Sequence, residues 1–263
     1  MSYLHAIILG IVEGITEFLP ISSTGHMIIA SSMMGIEDSS FTKAFEVIIQ
    51  FGAIMSVLVL YWKRFLPHWG FYRKLFVAFL PTAIIGFVVK DVVEHLMGSV
   101  QVVAWSLIIG GVILIWADKA FAHLTMMGRK TDDLTYKDSV KLGLFQAIAM
   151  IPGVSRSGAT IMGGLTLGMN KKEAAEFSFF LAVPTMAAAT LYKLLKIYKT
   201  IEPAQINLLL VGCAVAFVVA MIAIKFFIGI VSRYGFRGFG YYRIVLGLVI
   251  LILLYTGHDL QMV

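Results

Sequence analysis

Charge is scarce in this chain. Only 14% of its 263 residues are Asp, Glu, Lys or Arg, against about a quarter in an ordinary soluble domain. Together with 59% hydrophobic residues and a mean hydropathy of +0.90, this shortage excludes a soluble globular protein and points to an integral membrane one. Cysteine is nearly missing too. Cys213 stands alone in an apolar run, so no internal disulfide forms and the redox compartment is left open. The opening residues lack the basic stretch of a secretory leader, and Glu13 and Glu17 interrupt what would be its apolar core, so no leader is expected. The formal net charge is +6, but no nucleic-acid motif accompanies it. In a membrane protein such a surplus marks cytoplasmic loops, and no nucleic-acid partner is expected.

What is present in quantity is apolar sequence. Six stretches, near 44–62, 75–92, 101–117, 177–195, 206–231 and 241–257, are long and apolar enough to span a bilayer. Lys74 and Lys90 would snorkel from the ends of the second. The longest polar segment, 118–141, marks the midpoint.

Two further apolar segments are broken. Residues 10–26 read GIVEGITEFLPISSTGH and residues 143–160 read GLFQAIAMIPGVSRSGAT. Each starts apolar, breaks at a proline and passes through a Ser/Thr/Gly run. At a spacing of 133, Gly10, Ile15, Ser22, Gly25, Ile28 and Gly35 meet Gly143, Ile148, Ser155, Gly158, Ile161 and Gly168. The chain therefore reads as one membrane domain, 1–263, with internal repeats of approximately 1–118 and 138–263 joined by a cytoplasmic loop. If each broken segment enters and leaves on one side, each half crosses three times and the halves are inverted. Lys and Arg arbitrate. In that arrangement fourteen fall on one face, from Lys63 and Arg64 to Arg237 and Arg243, and five on the other (Lys43, Lys90, Lys193, Lys196 and Lys199). This is a positive-inside bias with both termini outside. The expected fold is an all-α integral membrane protein: six transmembrane helices plus two re-entrant helix–loop–helix hairpins in an inverted-topology repeat.

The breaks carry the chemistry. Glu13 and Glu17, four apart, share a helix face, where like charges repel. Such a pair persists at membrane depth if one acid is protonated or a cation lies between them, whereas at a wet helix end it needs neither. Ser22, Ser23 and Thr24 form a turn that can cap the next helix. A serine nucleophile there would need a base, and Glu17 and His26 are near in sequence. In the second break, Gly153, Ser155, Ser157 and Thr160 offer amides and hydroxyls for an anion, and Arg156 adds a planar fork suited to phosphate. Arg156 can equally pair with Glu13 or Glu17, which would neutralise an empty site. Glu46, Glu176 and Gln50 read as scaffold, the acids satisfying the first turns of their helices. Tyr241 and Tyr242 read as interface anchors.

Residues 13–26 and 152–160 resemble the two signature motifs of the bacterial undecaprenyl-diphosphate phosphatases of the bacitracin-resistance type. The similarity runs along nearly the whole chain, including 45–50, 176–184 and 223–225. It implies an inner-membrane hydrolase that removes the terminal phosphate of undecaprenyl diphosphate, recycling the lipid carrier for cell-wall synthesis. It also implies a site open to the outer face and a divalent cation, Mg2+ or Ca2+. By this resemblance Ser23, His26, Glu17 and Arg156 are catalytic, and Glu13 and Glu17 bind metal. Arg156, Ser155, Ser157, Thr160, Ser22, Thr24 and Gly153 are expected to hold the phosphates, Arg156, Ser155 and Thr160 by the resemblance and the others as neighbouring amides and hydroxyls of the two breaks. The lipid diphosphate and membrane lipids are the expected partners, with a homodimer left open. Two mechanisms remain open at this stage, attack by Ser23 or by metal-activated water.

A secondary transporter or lipid flippase is the rival reading, because inverted repeats, broken helices and midplane acids are transporter traits as well. A phosphatidic acid phosphatase is rejected: its second histidine after Ser-Arg has no counterpart behind Ser155-Arg156. A purely structural subunit would leave the Glu, His and Arg constellation without a purpose.

Overall fold

The computed structural model describes residues 1–66, 69–97, 99–125, 128–199 and 201–256. Among these the chain is all-helical. Its α-helices are α1 (Tyr3–Thr16), α2 (Ser23–Met33), α3 (Ser40–Leu60), α4 (Trp69–Val88), α5 (Lys90–Met97), α6 (Val100–Ala120), α7 (Tyr136–Ile148), α8 (Arg156–Thr166), α9 (Lys171–Ile197), α10 (Pro203–Tyr234) and α11 (Arg237–Tyr255). Six of them, α3, α4, α6, α9, α10 and α11, are long and apolar enough to cross a membrane. The protein is a multi-pass membrane protein.

The helix ends follow local chemistry. Ser39, Ser99, Thr135 and Asn170 cap α3, α6, α7 and α9 through their side chains. Pro203 opens α10, and Gly235, at φ +72°, closes it. Three expected features move. α3 and α9 start earlier than their apolar runs, so Glu46 and Glu176 sit in the second turn and cannot serve the first. α4 runs from Trp69 to Val88 rather than over the expected 75–92, so Lys74 lies inside it and donates to the Asp132 carbonyl at 2.8 Å, and Lys90 opens the separate helix α5. Segment 118–141 is not plain loop. It holds 3₁₀ turns at Ala122–Thr125 and Thr131–Asp133 and the first turn of α7. The expected end of the sixth span, residue 257, lies outside the described residues.

Lys and Arg show one more departure. Arg243, counted above with the loop charges, lies inside α11 and is 1% exposed.

The two broken segments fold as helix–break–helix units, α1 with α2 and α7 with α8. α2 and α8 begin at Ser23 and Arg156, 133 positions apart. Their N-cap residues, Ser22 and Ser155, are the only described non-glycine residues with positive φ. The packing is reciprocal: α1 lies on α10 of the second half, and α7 lies on α4 of the first. Gly10 and Gly143 permit these close approaches. A Cβ on Gly10 would stand 2.9 Å from the Gly212 carbonyl oxygen, and one on Gly143 would strike the Ala78 carbonyl. α6 runs along α11, and α3 packs on α9. Beneath the breaks, Phe18 meets Phe179 edge-on at 5.3 Å in a core that continues through Phe180 and Phe71. That rigid aromatic layer holds the first break against α9.

Candidate functional site

The two breaks meet. A polar cavity of about 150 Å³ is lined by Glu17, Ser22, Ser23 and Thr24 from one and by Pro152, Gly153, Ser155 and Arg156 from the other. Gln50 of α3 and Met186 of α9 complete the wall. The cavity exists because the chain leaves helical geometry after Thr16 and after Ile148, and Pro20 and Pro152 lie in the breaks that follow. Left-handed Ser22 (φ +68°) and Ser155 (φ +75°) then turn each chain into its next helix. Gly153, at φ +86°, lies so close to α6 that a Cβ would stand 2.5 Å from the Val103 carbonyl oxygen.

Glu17 is the hub. The Ser23 hydroxyl donates to its Oε2 at 2.7 Å, and Arg156 Nη2 donates to its Oε1 at 2.8 Å. Arg156 also donates through Nη1 to the Ser178 carbonyl at 2.9 Å, lies 3.4 Å from the Met186 sulfur and faces the Phe18 ring. Its buried Nε has no partner. The expected neutralisation of an acid by Arg156 is thus found, with Glu17 as the acid.

The hydroxyls of the second break are committed to the protein. Ser155 caps the Gly158 N–H at 3.1 Å. Ser157 donates to the Leu19 carbonyl at 2.8 Å, tying the two breaks together. Thr160 donates to the Arg156 carbonyl at 2.9 Å and meets the Ser178 hydroxyl at 2.6 Å. Of these three, only Ser155 borders the cavity.

His26 turns the other way. Its Nδ1 is 2.7 Å from the Ser22 carbonyl, which can only accept, so Nδ1 carries the proton. In the neutral ring Nε2 then accepts from the Tyr242 hydroxyl at 2.7 Å, and the two rings stack. His26 borders a second, apolar cavity of about 580 Å³ that is also lined by Val12, Ile15, Leu19, Ile21, Phe239 and Tyr242. The structure therefore gathers Glu17, Ser23 and Arg156, and sets His26 on the far side of the first break.

Glu13 is fully buried, and neither of its carboxylate oxygens has a hydrogen-bond partner. Like charges on Glu17 and Glu46 act on it, and one oxygen of Glu46 is also unpartnered. Orphaned carboxylate oxygens of this kind suit a hard cation. Among the described residues, no group of three or more His, Cys, Asp or Glu side chains is arranged to hold a metal. A cation here would complete its shell with oxygens of a ligand, as Mg2+ commonly does with phosphates.

Several members of the site escaped sequence reasoning. Gln50 read as scaffold but borders the cavity. Ser178 and Met186 lie on α9 among apolar residues, with no local signal. Tyr242 read as an interface anchor, and nothing local signalled that it is also the partner of His26. Arg243 was hidden among loop charges.

Six spanning helices with a buried, ion-paired, anion-suited site at two helix breaks define a polytopic membrane protein with a catalytic-type centre. The family model described as bacitracin resistance protein BacA matches residues 6–249. The chain belongs to that family. It is 52% identical to the undecaprenyl-diphosphatase of Flavobacterium psychrophilum, with all of both chains covered. It is 49% identical to that of Porphyromonas gingivalis over 99% of each chain. With the undecaprenyl-diphosphatase of Aquifex aeolicus it shares 45% identity over 95% of this chain and 97% of the relative.

Proposed function

We propose that this protein hydrolyses the terminal phosphate of undecaprenyl diphosphate to give undecaprenyl phosphate, so returning the carrier lipid to cell-wall synthesis and conferring resistance to bacitracin. The observation that carries the reading is the Ser23–Glu17–Arg156 chain, with distances of 2.7 and 2.8 Å, in a polar cavity, while other residues of the same first break line a separate apolar cavity. A lipid diphosphate needs both. Its headgroup suits Arg156 and the polar cavity, and its prenyl tail suits the apolar one beside His26.

Ser23 Oγ attacks the terminal phosphorus while its proton passes to Glu17. The bond from that phosphorus to the bridging oxygen breaks, and lipid monophosphate leaves with the electron pair. Water then attacks the phosphoserine, releasing inorganic phosphate and restoring the Ser23 hydroxyl. Glu17 is the acceptor because the Ser23 hydroxyl already points at it, whereas Nε2 of His26 is occupied by Tyr242. As substrate enters, Arg156 exchanges Glu17 for phosphate oxygens and holds them by its fork. A divalent cation, Mg2+ or Ca2+, held at Glu13 and Glu17, would supply positive charge to the diphosphate oxygens when bound.

The two helix–break–helix units are re-entrant hairpins of an inverted repeat. The reciprocal packing of α1 on α10 and α7 on α4 supports a two-fold relation between halves. The charge bias supports a plasma-membrane orientation with both termini and the site facing outward. The test is phosphate release from undecaprenyl diphosphate by purified protein in detergent, with and without chelator, beside Arg156→Ala. Release that needs both metal and Arg156 is expected. No release by well-folded protein, together with movement of the lipid in liposomes, would turn the reading to a flippase.

A further inference from the structure

Arg243 of α11 is among the largest fully buried side chains, 1% exposed. No carboxylate pairs with it among the described residues. Its guanidinium donates instead to five main-chain carbonyls. Nη1 reaches Pro20 O at 3.1 Å and Val154 O at 2.9 Å. Nη2 reaches Gly153 O and Ser106 O, each at 3.0 Å, and Nε reaches Leu107 O at 3.3 Å.

Three of those carbonyls belong to the breaks, where the chain has left its helix and the oxygens have lost their intrahelical donors. A buried carbonyl without a donor is costly. Pro20 lies three residues before Ser23, and Gly153 and Val154 directly precede Ser155 and Arg156. One nitrogen, Nη1, therefore bridges the two halves of the site. Only arginine carries five N–H donors in one rigid plane; lysine has three on a flexible stem. α6 is shaped for the group, since a Cβ on Gly110 would strike the guanidinium.

The geometry points to Arg243 as the positioning residue of the site. It holds the two breaks in register through their backbones, so that Ser23 and Glu17 on one stay opposite Arg156 on the other. It is not a wall of the polar cavity, and it acts on the reaction only through the residues it places. The catalytic half of this inference rests on the hydrolase reading; the structural half does not.

The test uses the full chain in a Cys213→Ser background, with spin labels on exposed Ile11 of α1 and exposed Leu144 of α7. Wild type should give one narrow inter-label distance. Arg243→Lys should broaden it and lower kcat about 100-fold, while KM stays within about threefold, the pattern of a misplaced reacting group. In Arg243→Ala, guanidinium ion should restore part of kcat, entering through the cavity of about 160 Å³ lined by Gly110, Val154, Gly158 and Arg243. An unchanged distance distribution in Arg243→Lys overturns the inference, as does an unchanged kcat. If Arg243→Ala does not fold, Arg243→Lys still decides. If wild type releases no phosphate, the hydrolase reading fails, and the inter-label distance alone judges Arg243.

Discussion

Ser22 and Ser155, 133 residues apart, adopt the same left-handed backbone, with φ and ψ of 68° and 100° in one and 75° and 116° in the other. Each is the N-cap of the helix that follows its break, and each turns the chain into the polar cavity. A non-glycine residue in this region costs about 1–3 kcal/mol. The two differ in what the side chain returns. Ser155 caps Gly158 N–H, while Ser22 makes no side-chain capping bond.

Glycine should therefore act differently at the two positions. Ser22→Gly removes strain and loses no cap, so it should raise stability by about 1 kcal/mol. Ser155→Gly removes the same strain together with a cap whose replacement by glycine costs a few tenths of a kcal/mol, so its gain should be smaller than that of Ser22→Gly. Thermal unfolding of both variants in one detergent checks this. Equal gains at both sites would remove the cap from the account.

Arg156→Lys should lose most activity although the charge is kept. The guanidinium serves Glu17 and the Ser178 carbonyl from two nitrogens at once, and an ammonium on a flexible stem cannot reproduce that fork. Loss of one well-placed donor to a developing phosphate charge costs on the order of 10² in kcat. Steady-state phosphate release measures it. Turnover near wild type would mean that Arg156 only balances Glu17.

Much of this site was legible because its signals are local. A proline followed by a Ser/Thr/Gly run disfavours a continuing helix, and two such runs at one spacing announce paired breaks. Glu17 and Arg156 are expensive at membrane depth, so each foretold a partner. The unread residues act across the fold. His26 and Tyr242 are 216 positions apart and nothing local couples them. Arg243 follows two tyrosines near the start of an apolar run, which is also how a residue at a membrane surface looks. Only the arrival of Pro20, Gly153 and Val154 around it reveals its use. Lys74 looked like a flank for the same reason, because its acceptor on Asp132 is supplied by tertiary structure.

Glu13→Gln should separate the cation from the nucleophile. Both oxygens of Glu13 are buried without a donor, and Ser23 is bonded to Glu17 instead. The amide keeps the shape and removes the charge. The divalent-cation concentration for half-maximal activity should rise at least about tenfold, a loss of roughly 1.4 kcal/mol of binding, while a phosphoserine trapped at Ser23 should still form at saturating metal. An unchanged titration would remove Glu13 from the cation site. Glu17→Gln should differ by losing the phosphoserine as well, since in the proposed reaction the same carboxylate takes the serine proton.

Asp138 gives a dependence on pH far from the chemistry. It lies in the first turn of α7, outside the six spanning helices. Burial alone would raise its pKa, but the Thr135 N–H, the Arg129 guanidinium and the Thr135 hydroxyl overcome this and hold it down to about 2. A carboxyl lowered on folding contributes stability that is complete above the ordinary carboxylate range and is lost as pH falls through the folded value. The contribution should therefore be intact at pH 7, begin to fade near pH 4 and be gone below about 2. Asp138→Asn removes the negative charge from the group that accepts from Arg129 and from both Thr135 donors. It should destabilise the protein by about 1 kcal/mol at pH 7 after allowance for solvent screening. It should also flatten the unfolding midpoint between pH 4 and 2. A mutant curve parallel to that of wild type across this range would show that the Asp138 charge contributes nothing to folding, and the tie between α7 and the preceding turn would then rest on the cap that the Thr135 hydroxyl oxygen provides to the residue-138 N–H alone.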